Sequence, residues 1–517
     1  MDRRGFLASV GAVGVVATAS VAKAKNAPSF DPTERSIGEL SEAMIQGATT
    51  SRALVRAYVS RIHRFDQGPD GLHAVLALNP DAERAAAQLD SERAAGHVRG
   101  PLHGIPLLLK DNIESKDPLP TTAGSLALAQ SFHDADAPLV ARLRDAGAVI
   151  LGKANLSEWA NFRSNHSCSG WSGVGGQTGN AYDRRRNPSG SSSGSGSATA
   201  ASFCAAAIGS ETDGSILSPA ANNGVVGLKP TLGLVSGRGV VPLSPRQDTA
   251  GPMGRCVADV AILAEVMAEQ SLRYRGKAGR LTGYSLKGLR VGVMPLDESA
   301  HTMTSNLRTA ALTTLQNAGA VLLPLDNPPS FRDMGEPEWE ALQYEFKDAI
   351  NIYLSQLNPA RVPHRNLKDL VAFNQAEAGR ELSLFGQDIF ESADAKGPLT
   401  DPAYIAIREH LNQLADIDGL GALFSRSGAD ILFATGGGPA SLIDPLWGDR
   451  GAGGGGAPIA SAAAIAGYPS LSLPGGMIHG LPVGLTLVAP RFEDGHLLQV
   501  AYALEQRLNA RKPPAIG

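Results

Sequence analysis

The sequence predicts an α/β layered fold with a largely buried sheet, on three observations. Short apolar runs at Leu107 to Leu109, Val149 to Leu151, Val291 to Met294 and Val321 to Leu323 alternate with stretches of helical periodicity. Apolar residues make up 43% of the chain and charged residues 19%, the balance of a globular enzyme with a large core. The 517 residues exceed one typical domain, but α/β enzymes of this length can share a single core.

Taken in order, the first segment stands apart. Arg3 and Arg4 precede Phe6, Leu7 and an apolar stretch of small residues from Ala8 to Val21, the pattern of a twin-arginine export signal. Ala22 and Ala24 flank Lys23 as an A-x-A cleavage site, so residues 1–24 are expected to be removed and the mature protein to lie outside the cytoplasm, in the periplasm. A membrane anchor or a frayed amphipathic start is the alternative reading. No later stretch has about 18 consecutive apolar residues, so no stable membrane insertion is expected after the signal.

Residues 25–517 are expected to form the catalytic domain. Thr49 is positioned to cap a helix through Leu54, Tyr58 and Ile62, and Asn79-Pro80 and Gly96 bracket a second. Pro138 opens another helix. From about 336 to 427 helical periodicity replaces the strand pattern, which reads as a helical elaboration on one side of the core. Of two glycine-dense segments, 451–456 reads as a linker or mobile loop. The other, 189–197, is followed by a small-residue run from Ala198 to Ala207 that suits close helix packing.

Composition excludes several function classes. A net charge of −4 gives no basic stripe for nucleic-acid phosphates, which leaves a small-molecule substrate. Cys168, Cys204 and Cys256 cannot form a disulfide framework, and no C-x-x-C pair or clustered histidine suggests zinc. His63, His97, His103 and His133 read as solvated or locally capped residues.

Amide hydrolysis needs an activated nucleophile and donors aimed at the oxygen that becomes negative. Ser215 lies in GSETDGSI, residues 209–216, a turn of small residues that can converge backbone N–H groups on one point. Ser191 to Ser193 follow Gly190, which permits close backbone approach. Lys110 ends the apolar run of GIPLLLKDNI, residues 104–113, where desolvation disfavours its charged form. Each piece alone also reads as something plainer: a helix cap, a loop, a snorkelling lysine.

Together these segments resemble the amidase signature family. The Gly/Ser run, GSETDGSI, Pro219-Ala220 and GVVGLKPT (224–231) form one ordered motif, joined by G-I-P-x-x-x-K-D at Gly104 to Asp111, AGYP at Ala466 to Pro469 and LPVGL at Leu481 to Leu485. The resemblance covers nearly the whole mature chain and implies the amidase signature fold, a mixed central β-sheet flanked by α-helices. It also implies an acyl-enzyme mechanism without a cofactor. Ser215 would be the nucleophile, Ser191 the bridging serine after a cis peptide bond, and Lys110 the base behind it. The backbone N–H groups of Thr212, Asp213, Gly214 and Ser215 would form the oxyanion hole. Lys110 could instead act as a fixed positive charge. Ser192 could support the nucleophile, Ser193 and Ser195 are expected to satisfy nearby backbone, and Lys153 to support the fold.

Within the family the chain looks most similar to bacterial peptide amidases, on GWSGVGGQTGNAY (170–182), RNPSGSSSGSG (186–196) and YEFKDAINIYL (344–354). Val174, Gly179 and Ala181 depart from the Arg, Arg and Pro common in that branch, and Leu217 replaces an arginine found after the nucleophile in others. The resemblance to that branch implies peptide C-terminal amides as substrates. An aryl or acyl amidase acting on anilides or carbamates, and a non-catalytic amide-binding protein, are the alternatives.

Overall fold

Four pairings of parallel strands and six of antiparallel strands build the sheet on which everything else rests. The structure is a computed structural model and describes residues 30–275, 281–296, 302–437, 439–449 and 457–516. The export signal, its cleavage site and the 451–456 segment lie outside the described residues. In chain order the strands are β1 (Val75–Leu78), β2 (Pro106–Lys110), β3 (Val149–Ala154), β4 (Trp171–Ser172), β5 (Gly176–Gln177), β6 (Ala206–Glu211), β7 (Val226–Lys229), β8 (Thr249–Gly254), β9 (Arg290–Val293), β10 (Val321–Pro324), β11 (Ile431–Thr435), β12 (Ser470–Ile478) and β13 (Leu481–Val488). Strands β4 and β5 pair as a separate ribbon. The other eleven form one mixed sheet in the order β1-β3-β2-β6-β8-β7-β12-β13-β11-β9-β10.

The parallel neighbours β3, β2 and β6 matter most for the site. Leu107, Leu108 and Leu109 are fully buried, as a strand covered on both faces requires. Leu109 sits beside Ile208, so the carboxyl ends of β2 and β6 emerge together at one edge. Open α/β sheets bind ligands outside the carboxyl ends of their parallel strands.

Helices cover the faces. Ser51–Phe65 is capped by Thr50, whose hydroxyl accepts from the Ala53 N–H at 3.1 Å, not by Thr49. The shift has a physical cause: the Asp90 carboxylate already takes the N–H groups of Ser51 and Arg52, at 2.7 and 3.0 Å, which fixes where the helix begins. The next helix spans Ala82–Ala94, starting two residues after Pro80, while Asn79 accepts from the Asp81 N–H at 3.0 Å. His103 is buried rather than solvated, with Nε2 2.9 Å from Leu89 O and Nδ1 accepting from the Arg99 N–H.

Between β10 and β11 the described chain carries helices and no strand, with Gly335–Gln356 the longest. This layer is pinned to the sheet side through a buried ion cluster. Arg163 donates to Glu158 at 2.7 Å and Glu381 at 3.4 Å, and its guanidinium lies 4.3 Å from the Phe385 ring centroid. Glu381 accepts in turn from the Leu126 N–H at 2.7 Å. Removing one member of a buried pair leaves an uncompensated charge. Arg163→Ala is therefore expected to cost about 3–5 kcal/mol, measured as a fall in the urea midpoint. A midpoint unchanged from wild type would show that the two carboxylates take protons or water instead.

Candidate active site

Lys110, at the carboxyl end of β2, is fully buried. Burial pushes its ammonium from 10.5 down to about 7, against the fields of Asp248 and Glu211, which favour the charged form. Its Nζ has three oxygen neighbours: Ser191 Oγ at 2.7 Å, Ser210 Oγ at 2.9 Å and Ser210 O at 3.0 Å. The Ser210 carbonyl can only accept, so one Nζ hydrogen is committed to it. A neutral amine has two N–H groups and one lone pair. With both N–H groups on Ser210, the lone pair is left for the Ser191 hydroxyl.

Ser191 and Ser192 precede a helix, Ser193–Ala200, in which every residue is buried. Small residues are required there. A Cβ on Gly194 would stand 2.3 Å from Ala74 O and 2.5 Å from Asn155 O, so only glycine lets this turn approach the β1–β3 side of the sheet. The Gly190–Ser191 peptide is cis. Ser192 ties the helix start to β6, donating to Ser210 O at 3.0 Å and accepting from the Ser210 N–H at 3.2 Å. Ser195 donates to Ile208 O at 3.2 Å, and Ser193 lies 3.2 Å from the Ser157 hydroxyl.

Ser215 closes the turn that leaves β6. Gly214 has φ +76°, a conformation that L side chains rarely adopt. Glu211 staples the turn from below: its Oε2 accepts from the N–H groups of Ile216 at 2.6 Å and Leu217 at 3.0 Å. Thr212 donates to Asp248 at 2.6 Å, and Asp248 also accepts from the Leu243 and Ser244 N–H groups. Among the described residues, the N–H groups of Asp213, Gly214 and Ser215 have no protein acceptor. The Ser192 N–H donates to Ser215 O at 3.1 Å, so the two serine segments are joined through backbone. No hydrogen bond joins the Ser191 and Ser215 hydroxyls among the described residues.

A cleft of about 320 Å³ opens beside this turn, bordered by Asp213, Gly214, Leu217, Ser218, Ser461 and Thr486 among others. Neighbouring unpaired N–H groups, a buried amine near neutrality and two serine segments joined through backbone beside a cleft suit acyl transfer. The model of the amidase family matches residues 53–433. The chain belongs to the amidase signature family. It is an amidohydrolase, and its mixed sheet flanked by helices is the fold of that family.

Relatives place it further. A probable amidase of Arabidopsis thaliana is 36% identical over 97% of this chain and 95% of its own length. The native peptide amidase of Stenotrophomonas maltophilia is 47% identical, with a TM-score of 0.87 over 94% of this chain and 99% of that one. A crystal structure of a peptide amidase with the competitive inhibitor chymostatin aligns with a TM-score of 0.88 at 47% identity, over 94% and 100% of the two chains.

The fold brings Lys110, Ser191, Ser192 and the Ser215 turn of this amidase to one edge of the sheet. Lys153, on β3, points elsewhere: it donates to Ile113 O and, at 2.9 Å, to Thr121 Oγ1, and lies 3.9 Å from Asp111. Ser210, Asn112 and Asp248 were not legible as site residues. Asn112 donates to Ser210 Oγ at 2.9 Å and so fixes the hydroxyl that meets Lys110. Ser210 and Asn112 stand within the two motifs, one residue from Glu211 and two from Lys110, which was a usable signal. Asp248 has none in its SPRQDTA surroundings.

Proposed function

We propose that this amidase hydrolyses the C-terminal carboxamide of peptides through a Ser215, Ser191 and Lys110 relay. The observation that carries the reading is the 2.7 Å contact between a buried, near-neutral Lys110 and Ser191. As Ser215 Oγ attacks the carbonyl carbon, its proton passes to Ser191 Oγ while the Ser191 proton passes to Lys110 Nζ. The N–H groups of the 212–215 turn stabilise the tetrahedral oxyanion. On collapse the proton returns through Ser191 to the departing nitrogen, which leaves as ammonia. Water repeats the sequence on the acyl-Ser215 ester and releases the acid.

The 47% identity to peptide amidases over most of the chain supports a peptide amide in preference to an anilide or carbamate. A panel tests it by rate: an N-acetyl dipeptide amide should exceed the matching anilide in kcat/KM by at least about tenfold. Anilides cleaved as fast or faster would favour an aryl amidase.

We also propose export, because Arg3 and Arg4 precede a largely apolar stretch of small residues that carries no charge. The full-length chain should fractionate to the periplasm, and the double change Arg3→Lys with Arg4→Lys should retain it in the cytoplasm. An unchanged distribution would remove the basis of this proposal.

A further inference from the structure

The cleft beside Ser215 has a feature that amide hydrolysis itself does not require. Among its described lining residues, Asp213 alone has an ionisable side chain. Ammonia needs no pocket. If Ser215 is the nucleophile acting on a primary carboxamide, a cavity bordering its turn can hold only the acyl part of the substrate.

The Ser461 hydroxyl, which also lines the cleft, favours the ionised form of Asp213, and the Asp213 charge acts on Glu338. Burial and the Asp213 charge hold the Glu338 pKa well above the usual carboxylate range, and its Oε1 accepts from Gln247 Nε2 at 2.7 Å. Burial and the field of Glu211 raise Asp213 only to about 6. At neutral pH the Asp213 carboxyl, which borders the cleft, is therefore largely ionised. No lysine or arginine among the described residues lies within ion-pair distance of it. The charge of Lys229 favours the ionised form of Asp213, while its ammonium donates to Pro230 O at 3.1 Å.

Asp213 is half-buried, and an apolar occupant of the cleft would strip water from its carboxylate without replacing it. A cationic occupant supplies the partner, and an anionic one adds repulsion. We propose that Asp213 is a specificity-determining residue: its carboxylate selects peptide amides whose C-terminal residue carries a primary ammonium or guanidinium over those with an apolar or acidic side chain of similar length. The inference rests on the nucleophile and the carboxamide substrate assigned above.

The test is a ratio of kcat/KM values, so it does not depend on the absolute rate of any variant. Wild-type enzyme should cleave Nα-acetyl-lysine amide at least about tenfold better than Nα-acetyl-norleucine amide. In Asp213→Asn the ratio should fall below about 2, because the side-chain charge is lost while the turn's backbone donors remain. A wild-type ratio near 1, or a ratio that persists in Asp213→Asn, overturns the assignment. Should that variant not fold, the wild-type order decides. Lysine amide must lead Nε-acetyl-lysine amide, and glutamate amide must come last, or the proposal fails. If peptide amides are not cleaved but simple ones are, the peptide reading has failed, and 6-aminohexanamide against hexanamide measures the same preference independently.

Discussion

Ser215→Ala is expected to lower kcat/KM by on the order of 10⁴-fold or more, as removal of the nucleophile does where a serine and its base act as one unit. The loss should fall on kcat. The residues that line the cleft stay unchanged, and the donors of the turn are backbone groups that alanine leaves in place. Stability should change little, because the turn is held by Glu211 and by the Thr212–Asp248 bond, neither of which involves the Ser215 side chain. An acylating inhibitor should add one acyl mass to the wild-type peptide containing Ser215 and none to the variant. An adduct on Ser191 would reverse the two serines' roles, and a variant keeping more than about 1% of wild-type kcat/KM would exclude Ser215 as nucleophile.

What could be read from the sequence divides along a physical line. A buried strand announces itself by an unbroken apolar run, so Leu107 to Leu109 marked β2 and, by ending on Lys110, marked a desolvated amine. Lateral neighbours are a different matter. Ser210 meets Lys110 because β6 pairs in parallel with β2 at Leu109 and Ile208, and nothing in the local pattern of either strand states which strand lies beside it. Asp248 reaches the site half-buried from a loop, and Glu338 lies buried on the helix Gly335–Gln356, where burial of an acid goes against its composition-based expectation. Asp213 was legible through its backbone, as one N–H in a turn. Its side chain was not, because what distinguishes it is the cleft formed with Ser461 and Thr486, residues more than two hundred positions away. The Thr49 cap failed for a similar reason: two adjacent threonines are equivalent until Asp90 fixes the first turn.

Lys110→Met is expected to reduce kcat/KM by about 10³-fold or more while leaving the fold intact, and the pH dependence separates its catalytic role from its structural one. The active form is the neutral amine. With a pKa of about 7 in the folded protein, wild-type kcat/KM should climb between roughly pH 6 and 8 and level above, and no such limb should remain in the variant's residual activity. Stability follows the opposite bookkeeping from that of a salt-bridged lysine. Between about 7 and 10.5 the unfolded chain holds the Lys110 proton and the folded protein does not, so wild type gains stability as pH rises through that window. The urea midpoint of wild type relative to Lys110→Met should therefore increase from pH 6.5 to 9.5. Lys110→Arg decides between relay and fixed charge. A guanidinium keeps the positive charge at every working pH but does not release its proton, so a relay predicts activity as low as in the methionine variant. Recovery of a tenth or more of wild-type kcat/KM in the arginine variant would mean that a fixed charge beside Ser191 suffices, and the proton would then have to leave Ser215 by another route.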